Sequence, residues 1–307
     1  MKIDVIFTGG TIGSAMQSGY ISPTDSAKYN LIANYKNKFG NDVEFITHNP
    51  YTILSENLSA QTLNKLIAVV TELINTNCDG ILVVHGTDTL QYSAAAVECC
   101  FGNNIKPIIF VSANYPLENS ASNGNINFEA AVEFIKQSKG GGVYVSYSND
   151  LKSVDIHSAT RLLRHAEFDH KLFSLNGVYA TYQNKSFTLN SKYIFEDVVP
   201  SDVKVFPKSA GILNITVSPF EEYNYSLNDV KAVVFTPYHS GTLNTESEKL
   251  KHFAKKAAEK SVPMYVTGVV KGAEYQSVKA YTDLKIVPVY NTTSIALMVK
   301  LWLLGKV

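Results

Sequence analysis

Apolar residues recur along the first half of the chain in two alternating patterns. Short runs of consecutive apolar residues, at 3–7, Gly80–Val84 and Pro107–Val111, have the length and composition of strands buried on both faces of a sheet. Apolar residues at three- and four-residue spacing over 63–74 predict a helix, and Ser59 is a residue type that begins helices. This alternation predicts a parallel sheet with helices on both faces.

The same alternation continues to the end of the chain, interrupted once. Further helices are predicted at 89–101, 125–137, 245–259 and 292–304, and further strands at 142–146, 232–236, 262–267 and 286–290. The stretch 185–207 is polar and aromatic and contains two prolines. It shows neither the apolar runs of buried strands nor the three- and four-residue spacing of helices. We therefore predict an α/β catalytic domain over 1–188 with a larger parallel or mixed sheet, a linker over 189–208, and a smaller α/β domain over 209–307.

Composition narrows the classes of function. The 307 residues are enough for two domains, and the 27 basic and 27 acidic side chains give no net charge. Balanced charge argues against nucleic acid and against a polybasic membrane surface as partners. Three cysteines, Cys78, Cys99 and Cys100, lack the spacing of metal ligands, and no targeting or membrane-spanning run is visible. The expectation is a cytoplasmic protein that acts on a small molecule.

Two threonine- and glycine-rich segments follow predicted strands directly. TGGTIG occupies 8–13 and HGTDT occupies 85–89, and ligands of open α/β sheets bind beyond the carboxyl ends of strands. A threonine hydroxyl attacks a carbonyl when a base takes its proton, and glycines let backbone N–H groups approach the reacting oxygen. The alternative is a tight turn or a phosphate-binding loop, although the first segment lacks the P-loop pattern.

These two segments, in this order, resemble those of the bacterial-type L-asparaginase/glutaminase family, nearest to its cytoplasmic type I enzymes. LSENL at 54–58 is similar to the family's substrate-binding loop, and GYI at 19–21 to its flap. The resemblance implies an amidohydrolase that converts L-asparagine to L-aspartate and ammonia, with L-glutamine as a side substrate. It implies no metal and no organic cofactor, and a homodimer or homotetramer whose site is completed near the subunit contact.

The resemblance also assigns catalytic residues. Thr11 would be the nucleophile that forms the acyl-enzyme, and Tyr20 on the flap would bond its hydroxyl. Thr87 and Asp88 would form a relay that ends in a cation. The family has a lysine there, whereas Arg161 is the best match in this chain. An arginine keeps the charge but does not release its proton at physiological pH.

Substrate binding is assigned in the same way. Gly10 would bring its backbone to the substrate, and Ser55 would hold the α-carboxylate. Glu56 and Asp88 would bind the α-ammonium, with Thr87 near the attacking water. Each charge of a zwitterion in a closed pocket needs such a partner.

Two further departures from the family pattern leave other functions open. Asn123 stands where the family usually carries an aspartate before glycine, and SGTLN at 240–244 replaces a Gly-Asn-Gly stretch supplied by a neighbouring subunit. Together with Arg161 in place of lysine, these changes leave two alternative functions open. One is a catalytically weak amino-acid-binding relative on the same fold, and the other is a phosphate or nucleotide binder that uses the glycine turn.

Overall fold

The chain forms two compact units, Met1–Val205 and Phe206–Val307. The computed structural model describes residues 1–17, 20–23, 25–103, 105–137, 140–167, 169–194, 198–272 and 274–305, with side chains described outside 13–28. Most of the predicted linker belongs to the first unit, where the backbone N–H of Ser201 donates to the Cys99 carbonyl at 3.0 Å.

The first unit is built on a mixed sheet. Its strands are β1 Lys2–Phe7, β2 Ser14–Gln17, β3 Tyr20–Pro23, β4 Glu44–His48, β5 Gly80–Val84, β6 Pro107–Val111, β7 Gly142–Tyr147, β8 Val154–Ser158, β9 Ala180–Gln183 and β10 Ser186–Leu189. Eight of them lie in the order β10-β9-β8-β7-β6-β5-β1-β4, while β2 and β3 pair as a separate hairpin. The five neighbouring strands β4, β1, β5, β6 and β7 run parallel to one another. The strands β8, β9 and β10 extend the sheet beyond β7, each antiparallel to the strand before it.

Four helices in the described part of the chain cover this sheet, and the apolar spacing predicted all of them except α1. They are α1 Asp25–Phe39, α2 Ala60–Leu73, α3 Leu90–Phe101 and α4 Gly124–Lys136. Ser59 begins α2 with a capping box, since its side chain accepts from the Thr62 N–H while the Thr62 hydroxyl accepts from the Ser59 N–H. α1 packs on α4 and α2 packs on α3, and every residue of β5 is buried. The residues with three- and four-residue spacing in α2 form its buried face.

The second unit is smaller and also α/β. Its strands are β11 Ile212–Thr216, β12 Ala232–Thr236, β13 Met264–Val266 and β14 Ile286–Pro288, and its helices are α5 Glu248–Glu259, α6 Ala280–Asp283 and α7 Ser294–Leu304. The four strands lie in chain order and run parallel. The predicted fold class, a larger N-terminal mixed sheet flanked by helices with a smaller C-terminal α/β domain, is confirmed.

No helix within the described residues is long and apolar enough to cross a membrane.

Candidate active site

The parallel strands β4, β1 and β5 are neighbours, so the loops that follow them emerge at one edge of the sheet. The Thr8 N–H donates to the Val84 carbonyl at 3.0 Å, and the Ile53 N–H donates to the Thr8 carbonyl at 3.1 Å. Gly9 and Ile53 also form an isolated parallel bridge. The three loops predicted to carry the chemistry are therefore tied together by backbone hydrogen bonds.

Glycines allow these loops to touch backbone to backbone. Gly10 has a φ of +86°, and a Cβ added to it would lie 2.3 Å from the Gly86 Cα. A Cβ on Gly86 would in turn lie 2.5 Å from the Ser55 Oγ. A Cβ would clash at either position because real Cβ atoms do not approach so closely, and the positive φ of Gly10 also favours glycine. Thr11 and Thr87 directly follow these two glycines, so they lie on loops that touch.

Polar contacts then join the second and third loops. The Ser55 hydroxyl donates to Asp88 Oδ2 at 3.4 Å, and the Thr89 hydroxyl donates to the Ser55 carbonyl at 2.8 Å. Ser55 is buried, whereas Asp88 and the neighbouring Glu56 are exposed. Two carboxylates beside a hydroxyl favour a ligand that brings a positive charge.

The two threonines lie at helix starts. Thr11 is the first residue of a 3-10 helix, Thr11–Gly13, and is half-buried. Thr87 is half-buried just before α3, where its carbonyl accepts from the Leu90 N–H at 3.3 Å. The side chain of Tyr20 lies outside the described part of the chain. Of the predicted site residues, the structure brings together Gly10, Thr11, Ser55, Glu56, Thr87 and Asp88.

Arg161 lies in a different environment. It is buried in the 3-10 helix Ala159–Arg161, and its Nη2 donates to the Ile194 carbonyl at 2.6 Å. Its guanidinium carbon lies 4.4 Å from the centroid of the Tyr193 ring, within the range of a cation–π contact. The side chain is thus held by a carbonyl and an aromatic face.

The neighbour of Arg161 shows how far this environment is from Asp88. The Thr160 N–H donates to Glu98 Oε2 at 2.8 Å. Glu98 lies in the last turn of α3, eight residues after Leu90, and at about 1.5 Å per residue that is about 12 Å along the helix from its start. Burial raises the pKa of Glu98 to about 7, and the charge of Arg161 opposes this rise. The structure therefore places Arg161 near the end of α3 opposite to Asp88.

Asn123 has a defined structural role. Its Nδ2 donates to the Ser148 carbonyl at 2.8 Å, and its Oδ1 accepts from the Asn114 N–H at 2.9 Å. The side chain is buried. Because Asn123 both donates and accepts, it links the loops that follow β6 and β7, which an ionised aspartate cannot do since it lacks a donor.

We expect Asn123→Asp to lower the free energy of unfolding by about 2–4 kcal/mol at neutral pH, because a buried carboxylate would face the Ser148 carbonyl. Burial would raise the pKa of the new carboxyl in the folded state above its unfolded value. The variant's deficit should therefore grow as pH rises above about 4 and shrink toward acid pH. Chemical denaturation at several pH values measures it.

Asn125→Asp is the matched control. Asn125 lies two residues further on, in the first turn of α4. It is exposed and uses its Oδ1 to accept from Asn34 Nδ2 at 3.1 Å, a role that a carboxylate keeps. A deficit of equal size in both variants would contradict the role given to Asn123.

Segment 240–244 is organised within the second unit. Gly241 has a φ of +74°, and its carbonyl accepts from the Tyr281 hydroxyl at 2.8 Å. The Tyr223 hydroxyl bonds Asn244 Oδ1. These contacts fix the segment on its own unit.

His85 lies directly before the glycine of the second threonine loop. His85 is buried and its Nδ1 bonds the Gly86 carbonyl at 2.8 Å, while burial lowers its pKa to about 4, so the ring is neutral. No group of three or more His, Cys, Asp or Glu side chains in the described ranges is arranged to hold a metal ion.

His165 is the residue near this site that the sequence did not single out for this role. The charge of Asp88 opposes the lowering of the His165 pKa that burial causes. His165 comes from a loop far along the chain with no motif around it, so only the folded arrangement relates it to Asp88.

Comparisons with known proteins show the family and the fold. Residues 2–192 match the family model described as asparaginase, N-terminal. Over 151 residues, 47% of this chain, the sequence is 28% identical to a glutamyl-tRNA(Gln) amidotransferase subunit from Metallosphaera sedula. That match spans 33% of the relative, so the chain covers about a third of its length.

Solved structures extend the likeness over both units. The thermostable L-asparaginase from Thermococcus kodakarensis superposes with a TM-score of 0.78 at 19% identity, covering 100% of this chain and 94% of that one. L-asparaginase I from Vibrio cholerae O1 biovar eltor gives 0.77 at 22% identity, with 99% and 92% covered. At these identities the likeness establishes the fold.

Proposed function

The chain belongs to the asparaginase family, and on that premise we propose that it is an amidohydrolase that converts L-asparagine to L-aspartate and ammonia through an acyl-enzyme on Thr11, with L-glutamine as a side substrate. The observation that carries the proposal is the contact of Gly10 with Gly86. The two loops that meet there carry Thr11, Thr87 and Asp88, which supports a shared site at this edge of the sheet.

Thr11 is proposed as the nucleophile because its position suits an attack on an amide carbonyl. It follows two glycines of positive φ, whose backbone can approach a substrate closely. As the Thr11 oxygen adds to the carbonyl carbon, negative charge develops on the carbonyl oxygen, and backbone N–H groups at the loop and helix start stabilise such charge. Tyr20 is proposed to close the site over this threonine.

Thr87 and Asp88 are proposed to handle the proton. A hydroxyl is a weak nucleophile until a base removes its proton, and Asp88 is the carboxylate next to the second hydroxyl. The Ser55 hydroxyl bonds one oxygen of Asp88 and so orients the group. Arg161 has no part in this relay, since its contacts lie at the other end of α3.

The two charged ends of the substrate are assigned to the second loop. Ser55 is proposed to hold the α-carboxylate, and Glu56 and Asp88 the α-ammonium. Exposed carboxylates suit a cation, and a hydroxyl suits an anion. Gly10 offers its backbone to the same ligand.

A second candidate function is ammonia release on behalf of a larger amidotransferase. The likeness to a subunit of a glutamyl-tRNA(Gln) amidotransferase favours it. Both functions share the amide cleavage step, and they differ in whether the isolated chain turns over.

The test is ammonia release by the purified chain from L-asparagine and from L-glutamine, with calorimetric titration of L-aspartate alongside. Release of ammonia and aspartate in equal amounts supports the proposal. Binding of aspartate without release from either amide overturns it and identifies an amino-acid-binding relative. Release that requires an added partner would favour the amidotransferase function.

We expect Arg161→Lys to leave asparagine turnover within about twofold of wild type, while lowering the free energy of unfolding by about 1–2 kcal/mol. A lysine ammonium does not reproduce the planar contact with Tyr193. Arg164→Lys, at an exposed position, is the control and should change neither quantity. A tenfold change in turnover for Arg161→Lys alone would restore this residue to the relay.

The proposal includes a cytoplasmic location and a homodimer or homotetramer, as the family resemblance implies. The three cysteines are free and buried, in keeping with a reducing compartment. Sedimentation equilibrium of the purified chain measures the oligomer.

A further inference from the structure

The loop that carries His165 is anchored at the edge of the sheet where the site lies. The Tyr147 hydroxyl donates to the His170 carbonyl at 2.7 Å. Asn149 exchanges two hydrogen bonds with the Leu172 backbone, each of 2.9 Å. Tyr147 ends β7, which runs parallel to β5 by way of β6. These contacts fix the loop beside the carboxyl ends of the strands that carry the threonine loops.

The imidazole of His165 has one nitrogen that is buried without a partner. Its ring centroid lies 5.8 Å from that of Tyr147, and its Nε2 has no hydrogen-bond partner among the described residues. In the neutral tautomer that carries its proton on Nδ1, Nε2 has a free lone pair. That is the form in which a histidine accepts a proton.

The charges around this ring set its protonation state. Burial lowers the pKa of His165 below its usual value, while Asp88 and Asp169 act in the opposite direction. Two further groups face it, His157 from β8 and Tyr147 from β7. Burial lowers the pKa of His157 to about 3 and raises that of Tyr147, so both are neutral near pH 7. Asp88 is thus the charged group of the proposed site that acts on this ring.

We propose that His165 is the terminal group of the relay that begins at Thr87 and Asp88, and that its Nε2 holds the transferred proton while the amide is cleaved. The inference rests on the proposed function and gives His165 the place that the family resemblance implied for Arg161. His165 acts through the Asp88 carboxylate and does not touch the substrate, so it is a positioning residue.

Every proton that the relay accepts during one catalytic cycle is returned within that cycle. In acylation the Thr11 oxygen bonds to the carbonyl carbon, the hydroxyl proton passes to the relay, and the carbon–nitrogen bond breaks. The relay returns that proton to the nitrogen, which leaves as ammonia. In deacylation a water oxygen bonds to the same carbon, its proton enters the relay, and the proton returns to the Thr11 oxygen as the ester breaks. His165 ends each cycle neutral, and no oxidant or cofactor is consumed.

The test compares His165→Asn with wild type in steady-state ammonia release from L-asparagine between pH 4.5 and 9. Asparagine keeps an N–H donor near Nδ1 and removes the Nε2 base. We expect kcat to fall roughly 100-fold at pH 7.5, within the usual range for a general-base group, with KM changed less than about threefold. We also expect the acid limb that titration of His165 gives to the wild-type profile to disappear.

His170→Asn is the matched control, since this exposed histidine lies in the same loop, and its rate and profile should equal those of wild type. A His165→Asn enzyme whose profile keeps the acid limb overturns the proposal, whether or not its rate falls. If wild type itself releases no ammonia, it is the proposed function that fails.

A second measurement covers the case in which His165→Asn does not fold. Nitrogen-15 NMR titration of the wild-type imidazoles should show His165 as the Nδ1–H tautomer with a pKa below 6.5. Asp88→Asn should lower that pKa further, because a nearby negative charge is removed. An unchanged pKa in Asp88→Asn, or a proton on Nε2, overturns the proposal.

Discussion

Thr11→Val is expected to lower asparagine turnover by on the order of 10⁴-fold or more while the protein stays folded. Valine has nearly the shape of threonine and lacks only the hydroxyl, so the substitution removes the attacking oxygen and little else. Loss of a nucleophile that forms a covalent intermediate has effects of this size. L-aspartate should still bind, because its charged ends are held by other loops.

Thr11→Ser separates chemistry from packing. Serine restores a hydroxyl, so we expect the turnover of Thr11→Ser to exceed that of Thr11→Val by at least about 100-fold. The control is Thr188→Ala, at an exposed position on β10, and its turnover should equal that of wild type. If Thr11→Val turns over at the wild-type rate, water attacks the amide directly and Thr11 is not the nucleophile.

Gly10→Ala is expected to abolish turnover and to weaken aspartate binding as well. The added Cβ would lie 2.3 Å from the Gly86 Cα and 2.4 Å from the Gly86 nitrogen, so the loops after β1 and β5 must separate. Reacting groups displaced by about 1 Å lose on the order of 100-fold in rate. Both loops carry proposed catalytic hydroxyls, and the loss should be at least that large.

Gly40→Ala isolates the cause. Gly40 has a φ of +87°, almost the value of Gly10, but a Cβ there would meet nothing within 4 Å. Both variants carry the same backbone strain, about 1–2 kcal/mol per non-glycine residue in the left-handed region, and only Gly10→Ala forces the loops apart. Equal turnover in the two variants would show that the Gly10–Gly86 contact does not hold the site together.

The central strands and their helices could be predicted from the sequence because burial imposes a readable pattern. Gly80–Val84 is apolar throughout since both its faces are covered, and the spacing in α2 matches its buried face. The hairpin of β2 and β3 and the helix α1 were not predicted. Neither were the sheet strands β4, β8, β9, β10 and β11. They are short and partly exposed, and their pairing depends on the neighbouring strand more than on their own composition.

The residues of the site also differ in how far the sequence predicts their positions. Its glycines, Thr11, Thr87 and Asp88 stand directly after strands, so their convergence follows from the parallel sheet. Arg161 and His165 follow an antiparallel strand and an irregular loop, where position along the chain does not fix position in space. Arg161 was matched to the family's lysine because both are positively charged. In the structure its side chain packs against Tyr193, away from Asp88.

Acid quenching of the enzyme during turnover of L-asparagine, followed by peptide mass spectrometry, tests the central claim most directly. We expect an aspartyl ester on the peptide that contains Thr11, absent in Thr11→Val and present in Thr188→Ala. Ammonia release at a normal rate with no ester on that peptide, or an ester on another residue, would contradict it.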